Sequence, residues 1–423
     1  MRTSTPMNRD MFDADEAVST SSWVPSRAAG LERLSRFLPR AGRLYQKNRN
    51  EDYGRETHPH VSGLSPYLRH RLISDEEVLS AVLECHDLSS ASKFIDEIFW
   101  RSYFKGWLEH HPNVWLQYNV DQRALHQQIR TDSNLRRRYL AAINGGSGIS
   151  VFDDWVGELR DTGYLHNHSR MWFASIWTFT LKLPWQLGTR WYHYHLLDGD
   201  IASNTLSWRW VAGLHTRGKT YLARPENIQR YGSRRLPSQD GLQALAKVAV
   251  ALQEPPEIAA RVVPSWPDQT PSIGRTGLLL HDEDLGMDHP SSELVAAGVL
   301  APKRTIRQNA SKKVARFGLE ASLDTLNRLN SISRLDTEPR LIRNPQAVQR
   351  WAEELRLDTL LVPYAPIGDL NAALAALISA SSGVKVVPYR RRLDCLAWPH
   401  ARAGYFGLKK KIPDIIDRLL MPN

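Results

Sequence analysis

The stretch from Gly163 to Gly213 constrains this chain most, because six of its fourteen tryptophans fall there (172, 177, 185, 191, 208 and 210). In order it holds His166, Asn167, His168 and Arg170, then a tryptophan-rich helical segment. An acidic turn (Asp198-Gly199-Asp200), Asn204 and a closing Trp208-x-Trp210 follow. A hydrophobic core does not require that density of indole. A buried π-cofactor and an electron path through aromatic rings do.

With 423 residues the chain has length for about two domains and large cores. A net charge of +10 favours anionic partners, nucleic acid first. Cys85 and Cys395 are too few for a disulfide scaffold, and no cluster has metal-ligand spacing, so no metal is expected. There is no run of about eighteen apolar residues to span a membrane. The first residues are polar and acidic, unlike a secretory signal, so the cytoplasm is the expected location.

Residues 1–27 read as a loosely ordered segment and 28–232 as helical. Ser65 before Pro66 reads as a helix N-cap, and Ser74 with Glu77 as a capping box. Residues 90–109 read as one amphipathic helix on which Glu97 and Arg101 share a face. A further helix is expected over 166–182. Residues 233–275 are a proline-rich connector around one short helix, Leu242–Leu252. Beyond it, apolar runs at 276–284, 337–344, 358–366 and 383–390 alternate with helical stretches. That alternation implies a parallel α/β sheet over 276–423.

Five motifs, in order, resemble the flavin-binding catalytic domain of the photolyase/cryptochrome family. They are Tyr45-x3-Arg49; Ser62-Gly63-Leu64-Ser65-Pro66-Tyr67-Leu68; Glu97-x2-Trp100-Arg101; Gly163 to Met171; and Asp198-Gly199-Asp200 through Asn204 to Trp208-Arg209-Trp210. The resemblance covers roughly half the chain and implies FAD as cofactor. Tyr45, Ser62, Gly63, Leu64, Ser65, Arg101, Arg170, Asp198, Gly199, Asp200 and Asn204 would hold it. Hydroxyls and free N–H groups of the Ser62–Ser65 loop would take its pyrophosphate. Arg170 and Asp198 would pair beside the isoalloxazine, Asp200 would accept from its edge, and Asn204 would face N5.

The resemblance also implies DNA containing pyrimidine dimers as partner, with the dimer flipped into a pocket. Trp100 and Trp210 would wall the lesion, Glu97 and Asn167 would bond the thymine edges, and Met171 would pack on it. Arg49 and His168 would meet DNA. Light-excited FADH⁻ would donate an electron, split the cyclobutane ring and recover it. Asn167 and Met171 stand where relatives acting on (6-4) lesions carry histidine, which favours the cyclobutane side. Trp208 and then Trp185 would carry electrons in photoreduction.

Three features depart from the family pattern. Position 168 is His, where cyclobutane-dimer enzymes commonly carry Arg. The third, surface tryptophan is missing, leaving Tyr139, Tyr118 and Trp115 as candidates. The α/β region follows the helical one, so the expected architecture is an all-helical FAD-binding domain followed by a Rossmann-like domain, read as a circular permutation. That second domain would be the antenna type, with room for a second chromophore, and the protein a monomer. The alternatives are a cryptochrome-like light receptor without repair activity and a flavin-bearing binding protein. Taken singly, the histidines, the DGD turn, the aromatic run 172–192 and Arg136–Arg138 read as structural or solvated.

Overall fold

Local signals in the first sixty residues of the ordered chain decide where helices begin. In the computed structural model, which describes residues 23–55, 58–232, 235, 240–267, 274–289, 293–301, 310–331, 335–380 and 383–421, helix Asp75–Cys85 opens with a full capping box. Ser74 Oγ accepts from Glu77 N–H at 3.0 Å, and Glu77 accepts in return from Ser74 N–H at 2.8 Å. Ser65 differs from expectation. It is the first residue of helix Ser65–Arg69, not its N-cap, and its hydroxyl donates to Asp198 instead. The expected loose order of residues 1–27 lies outside the described residues up to 22. Residues 23–27 are held firmly: Trp23 is buried 5.0 Å from the Tyr164 ring, and Ser26 caps helix Arg27–Phe37.

The centre of the helical part is helix Ser92–His110, and it is not amphipathic. Thirteen of its nineteen residues are buried. Its polar residues suggested a wet face, but Asp96, Lys105 and Glu109 are turned to partners from other parts of the chain. Asp96 accepts from Tyr405 Oη at 3.0 Å, Lys105 pairs with Asp200 at 3.4 Å, and Glu109 accepts from Tyr364 Oη and Ile367 N–H, both at 2.8 Å. Gly106 is required here. A Cβ would stand 2.9 Å from the Trp398 backbone. The helix expected over 166–182 is helical at Asn167–Ser175 and widens into a π-turn at Ile176–Thr180. Helices Trp185–His195 and Ile201–Val211 complete the tryptophan-rich core.

The connector departs from expectation as well. Of the expected helix Leu242–Leu252 only Leu242–Ala244 is helical, and residues 245–252 run as a strap across the helical body. Their backbone donors are used outside the segment, Ala246 N–H on Thr180 Oγ1 and Leu252 N–H on Ala212 C=O, both at 3.0 Å. A helix would need those donors for itself.

Beyond the connector, five parallel strands lie in the order β3-β2-β1-β4-β5: β1 Thr276–His281, β2 Ala296–Leu300, β3 Arg340–Ile342, β4 Thr359–Pro363 and β5 Lys385–Tyr389. This is the doubly wound strand order 3-2-1-4-5-6 without its sixth strand. Strands β1, β2 and β4 are buried throughout, as a parallel sheet covered on both faces must be. Alternation sorts the side chains. Leu278 and Leu280 join the core shared with the helical part, while Leu279 joins a second core under Val348, Trp351 and Leu374.

Sheet and helices meet over buried charge. Arg71, held at φ +51°, donates to Asp284 at 2.8 Å and also to Asp394. After β5 the chain returns to the helical part. Helices Arg392–Ala397, Tyr405–Lys409 and Ile412–Leu420 pack there, the first two against Ser92–His110.

Candidate functional site

A cavity of about 780 Å³ opens on the helical part. Helix Arg43–Asn48 and its end supply Tyr45 and Arg49 to its wall, and helix Asn167–Ser175 supplies Asn167, His168 and Met171. Asn167 and Met171 are one turn apart and so share a face. His166 fixes the start of that helix, its Nδ1 accepting from His168 N–H at 3.2 Å. Burial keeps His166 neutral, its pKa pushed down to about 3. Arg49 pairs with Glu97, which ties the cavity wall to the central helix. Glu97 and Arg101 share a face of that helix but do not pair, because Arg101 donates to the Leu68 carbonyl instead.

His168 lines the cavity. Its ring stacks on Trp172 at 4.1 Å, Nδ1 meets the Asn50 carbonyl at 3.1 Å and Nε2 meets Tyr221 Oη at 3.2 Å. Burial lowers its pKa, so it stands in the wall as a neutral group that can bond through both nitrogens.

Buried ion pairs adjoin this wall. Arg170 grips Asp198 with two bonds, 3.0 and 2.8 Å, and Ser65 donates to the same carboxylate. This is the pair expected from the sequence. Burial opposes the charge on Asp200, yet Lys105 and Arg101 outweigh it and hold the carboxyl below its usual range. Asp200 also caps helix Ile201–Val211 through Ser203 N–H at 2.7 Å, and Gly199 lies in the turn before it. Asn204 is buried and donates to the Asp200 carbonyl. In the Ser62–Ser65 loop, Ser62 Oγ accepts from Leu64 N–H at 3.3 Å and Gly63 adopts φ +60°. A Cβ on Gly63 would stand 2.8 Å from the Arg33 guanidinium.

The aromatic residues divide into groups. Trp208 is buried, with the rings of Tyr192 and Trp177 at 5.2 and 6.1 Å. A Cβ on Gly188 would collide with its indole at 2.2 Å, so the glycine makes the room. Trp177 leads on to Tyr139 at 6.0 Å. Trp185 leads to Tyr118 at 5.8 Å, which stacks on Trp115 at 5.1 Å. Neither Trp100 nor Trp210 is among the residues that line the cavity. Trp210 stacks on the lining residue Tyr221, and Trp100 stacks on Tyr405.

Sequence reasoning missed Lys105, the buried partner of Asp200. It lies one turn beyond Arg101 on the same helix, and that spacing was the available signal. It also missed Tyr221, Arg224 and Lys247, which follow the last motif and carry no pattern of their own.

The cavity, the buried ion pairs adjoining it and the buried Trp177, Trp185 and Trp208 all lie in the helical part. Residues 94–235 match the family described as FAD binding domain of DNA photolyase. The chain is 30% identical to a deoxyribodipyrimidine photo-lyase of Synechococcus sp. over 195 residues, 44% of this chain and 39% of that one. It is 26% identical to one of Neurospora crassa over 226 residues, 51% of this chain and 35% of that one. A cryptochrome of Synechocystis sp. matches in structure with TM-score 0.42 and 23% identity, over 51% of this chain and 45% of that one. This part of the chain belongs to the photolyase/cryptochrome family. The chain spans less than two fifths of the length of the two curated relatives.

FAD is the cofactor that this match supports, and the residues present fit it. Of the residues expected to hold it only Tyr45 lines the cavity, and Arg170, Asp198, Asp200 and Asn204 stand outside that lining. Trp208 Nε1 and Ser102 Oγ are buried without a partner among the described residues. Among the described residues no cluster is placed to hold a metal ion, and no helix is long and apolar enough to cross a membrane.

Proposed function

We propose that the protein is a light-driven DNA repair flavoenzyme that splits cyclobutane pyrimidine dimers. One observation carries the reading: Asn167 and Met171 share the wall of a cavity with Tyr45 and Arg49, and Arg49 is held by Glu97. An amide and a carboxylate can bond the two thymine edges, while the thioether packs on the saturated ring. FAD, bound and reduced, supplies the electron on excitation by light. Arg170 with Asp198, and Lys105 with Asp200, fix charge around the cofactor, and Asn204 presents its amide.

In this reading residues 276–390 are an antenna-type domain displaced by circular permutation. The parallel sheet packs against the helical part through Arg71 and Glu109, as a permuted antenna domain would. The final helices belong physically to the catalytic part.

One observation favours the alternative, a cryptochrome-like receptor. One face of Trp100 is covered by Tyr405, which narrows the room for a lesion. Dark binding tests the choice. Preference for a duplex with one thymine dimer over undamaged duplex supports the repair reading, and equal binding supports the receptor.

A further inference from the structure

The strap 245–252 enters the cavity wall with Lys247, Val248 and Ala249. It is fixed at both ends. Ala246 is held on Thr180, Thr220 Oγ1 donates to the Ala249 carbonyl at 3.4 Å, and Glu254 is clamped by Arg209 through two bonds. A segment fixed in this way would ordinarily bury its apolar side chains. Here Val248 is 71% exposed and Val250 75%, beside a cavity mouth. Lys247 and Arg224 line the same mouth, and neither has a carboxylate within ion-pair distance among the described residues. Exposed Arg217 and Lys219 flank it.

Unpaired cations around an aromatic-lined cavity call for a polyanion, and apolar side chains standing between them call for a flat apolar surface. A nucleic-acid strand offers both, as phosphates and as base-pair faces. Extruding two bases leaves a gap in the duplex whose flanking base pairs are bare.

We propose that residues 245–252 are a DNA-docking strap. Lys247 and Arg224 take phosphates beside the extruded dinucleotide, and Val248 with Val250 pack on the base pairs bordering the gap. The inference rests on the repair reading above and adds a preference for duplex over single-stranded lesions. The charges draw the strand to the mouth, and the valines offset part of the cost of unstacking.

The test uses the whole chain and two probes, a duplex carrying one thymine dimer and the isolated thymine-dimer dinucleotide. All the substituted side chains are exposed, so the fold is retained, and an unshifted thermal midpoint checks it. Lys247→Glu should lower affinity for the lesion duplex about tenfold and reduce the slope of log affinity against log salt by about one. Val248→Ser with Val250→Ser should weaken lesion-duplex binding about tenfold with the salt slope unchanged. The same pair should reduce the fluorescence rise of 2-aminopurine placed opposite the dimer, which reports unstacking. Wild-type affinity of both variants for the lesion duplex overturns the strap. Failure of the wild-type protein to bind the dinucleotide overturns the repair reading instead.

Discussion

Trp100 stacks face to face on Tyr405, with ring centroids 3.7 Å apart and planes 13° from parallel. Tyr405 is itself tied to the central helix through Asp96, which also pairs with Lys409. A residue of the catalytic-type helix is therefore set by a segment some three hundred residues later. The C-terminal helices are part of the site's support.

Removing that support has a predictable cost. Tyr405→Ala should destabilise the fold by about 3–5 kcal/mol, the usual cost of emptying a buried aromatic position. Tyr405→Phe keeps the stack and loses only the bond to Asp96, so its cost should be about 1 kcal/mol. Urea unfolding of the two variants checks the ranking. Equal losses would show that the hydroxyl, not the stack, positions Trp100.

Arg71 should be among the most sensitive residues at the junction of sheet and helices. It compensates Asp284 and Asp394, all three being buried. Arg71→Gln leaves carboxylates short of a cation and should cost about 3–5 kcal/mol. Arg391 also binds Asp284, so Asp394 should suffer more. Denaturation midpoints of Arg71→Gln with and without Asp394→Asn measure the coupling, and a double variant no better than the single one would contradict it.

Acid lability follows from six buried or half-buried histidines held as neutral rings. Desolvation pushes His166, His195 and His215 down to about 3, and His58, His111 and His126 down to about 4. In the unfolded chain these rings protonate near pH 6.5. The unfolded state therefore binds more protons below that pH, and their contribution, full above pH 6.5, is lost as pH falls toward 4. Glu158 opposes this. Burial raises it to about 7 despite Arg235, so it costs stability as pH rises from 4.5 to 7. Burial raises Glu76 and Glu109 as well, and these three carboxyls are outweighed by the six rings. The urea midpoint should be lower at pH 5 than at pH 7.5, and the reverse order would show that these six rings are not held neutral.

Photoreduction should depend on which ring chain drains Trp208. Among the described residues no ring contact joins Trp208 to Trp185, which leads through Tyr118 to Trp115 on helix Asn113–Thr131, where Leu116 is 61% exposed. Trp177 leads instead to Tyr139, which is 1% exposed. Trp208→Phe should slow light-driven flavin reduction sharply while flavin stays bound, and Trp185→Phe should slow it nearly as much. Transient absorption checks this. A normal rate in Trp185→Phe with a slow one in Trp177→Phe would route the electron through Tyr139.

The legible parts of the sequence were those governed by local chemistry. The Ser74–Glu77 box and the strands at 276, 358 and 383 follow from spacing and short-range signals, whereas the Arg170–Asp198 pair was implied only by the family resemblance. Strand β2 was not singled out, since its Ala-Ala-Gly-Val-Leu carries no alternation when both faces are buried. Helix Ser92–His110 looked amphipathic because its charged residues have partners far along the chain, which spacing cannot reveal. The Trp100–Tyr405 stack and the strap were hidden for the same reason. Both join segments that lie together only once the chain has folded.

Dimer repair itself is measured by illuminating the reduced, flavin-loaded protein with an oligonucleotide carrying one thymine dimer and quantifying intact thymines over time. A repair enzyme should restore thymine in the light and not in the dark, with a rate that falls at least tenfold in Asn167→Ala. No restored thymine under reduced, illuminated conditions, with flavin bound and the lesion held, would rule the repair reading out.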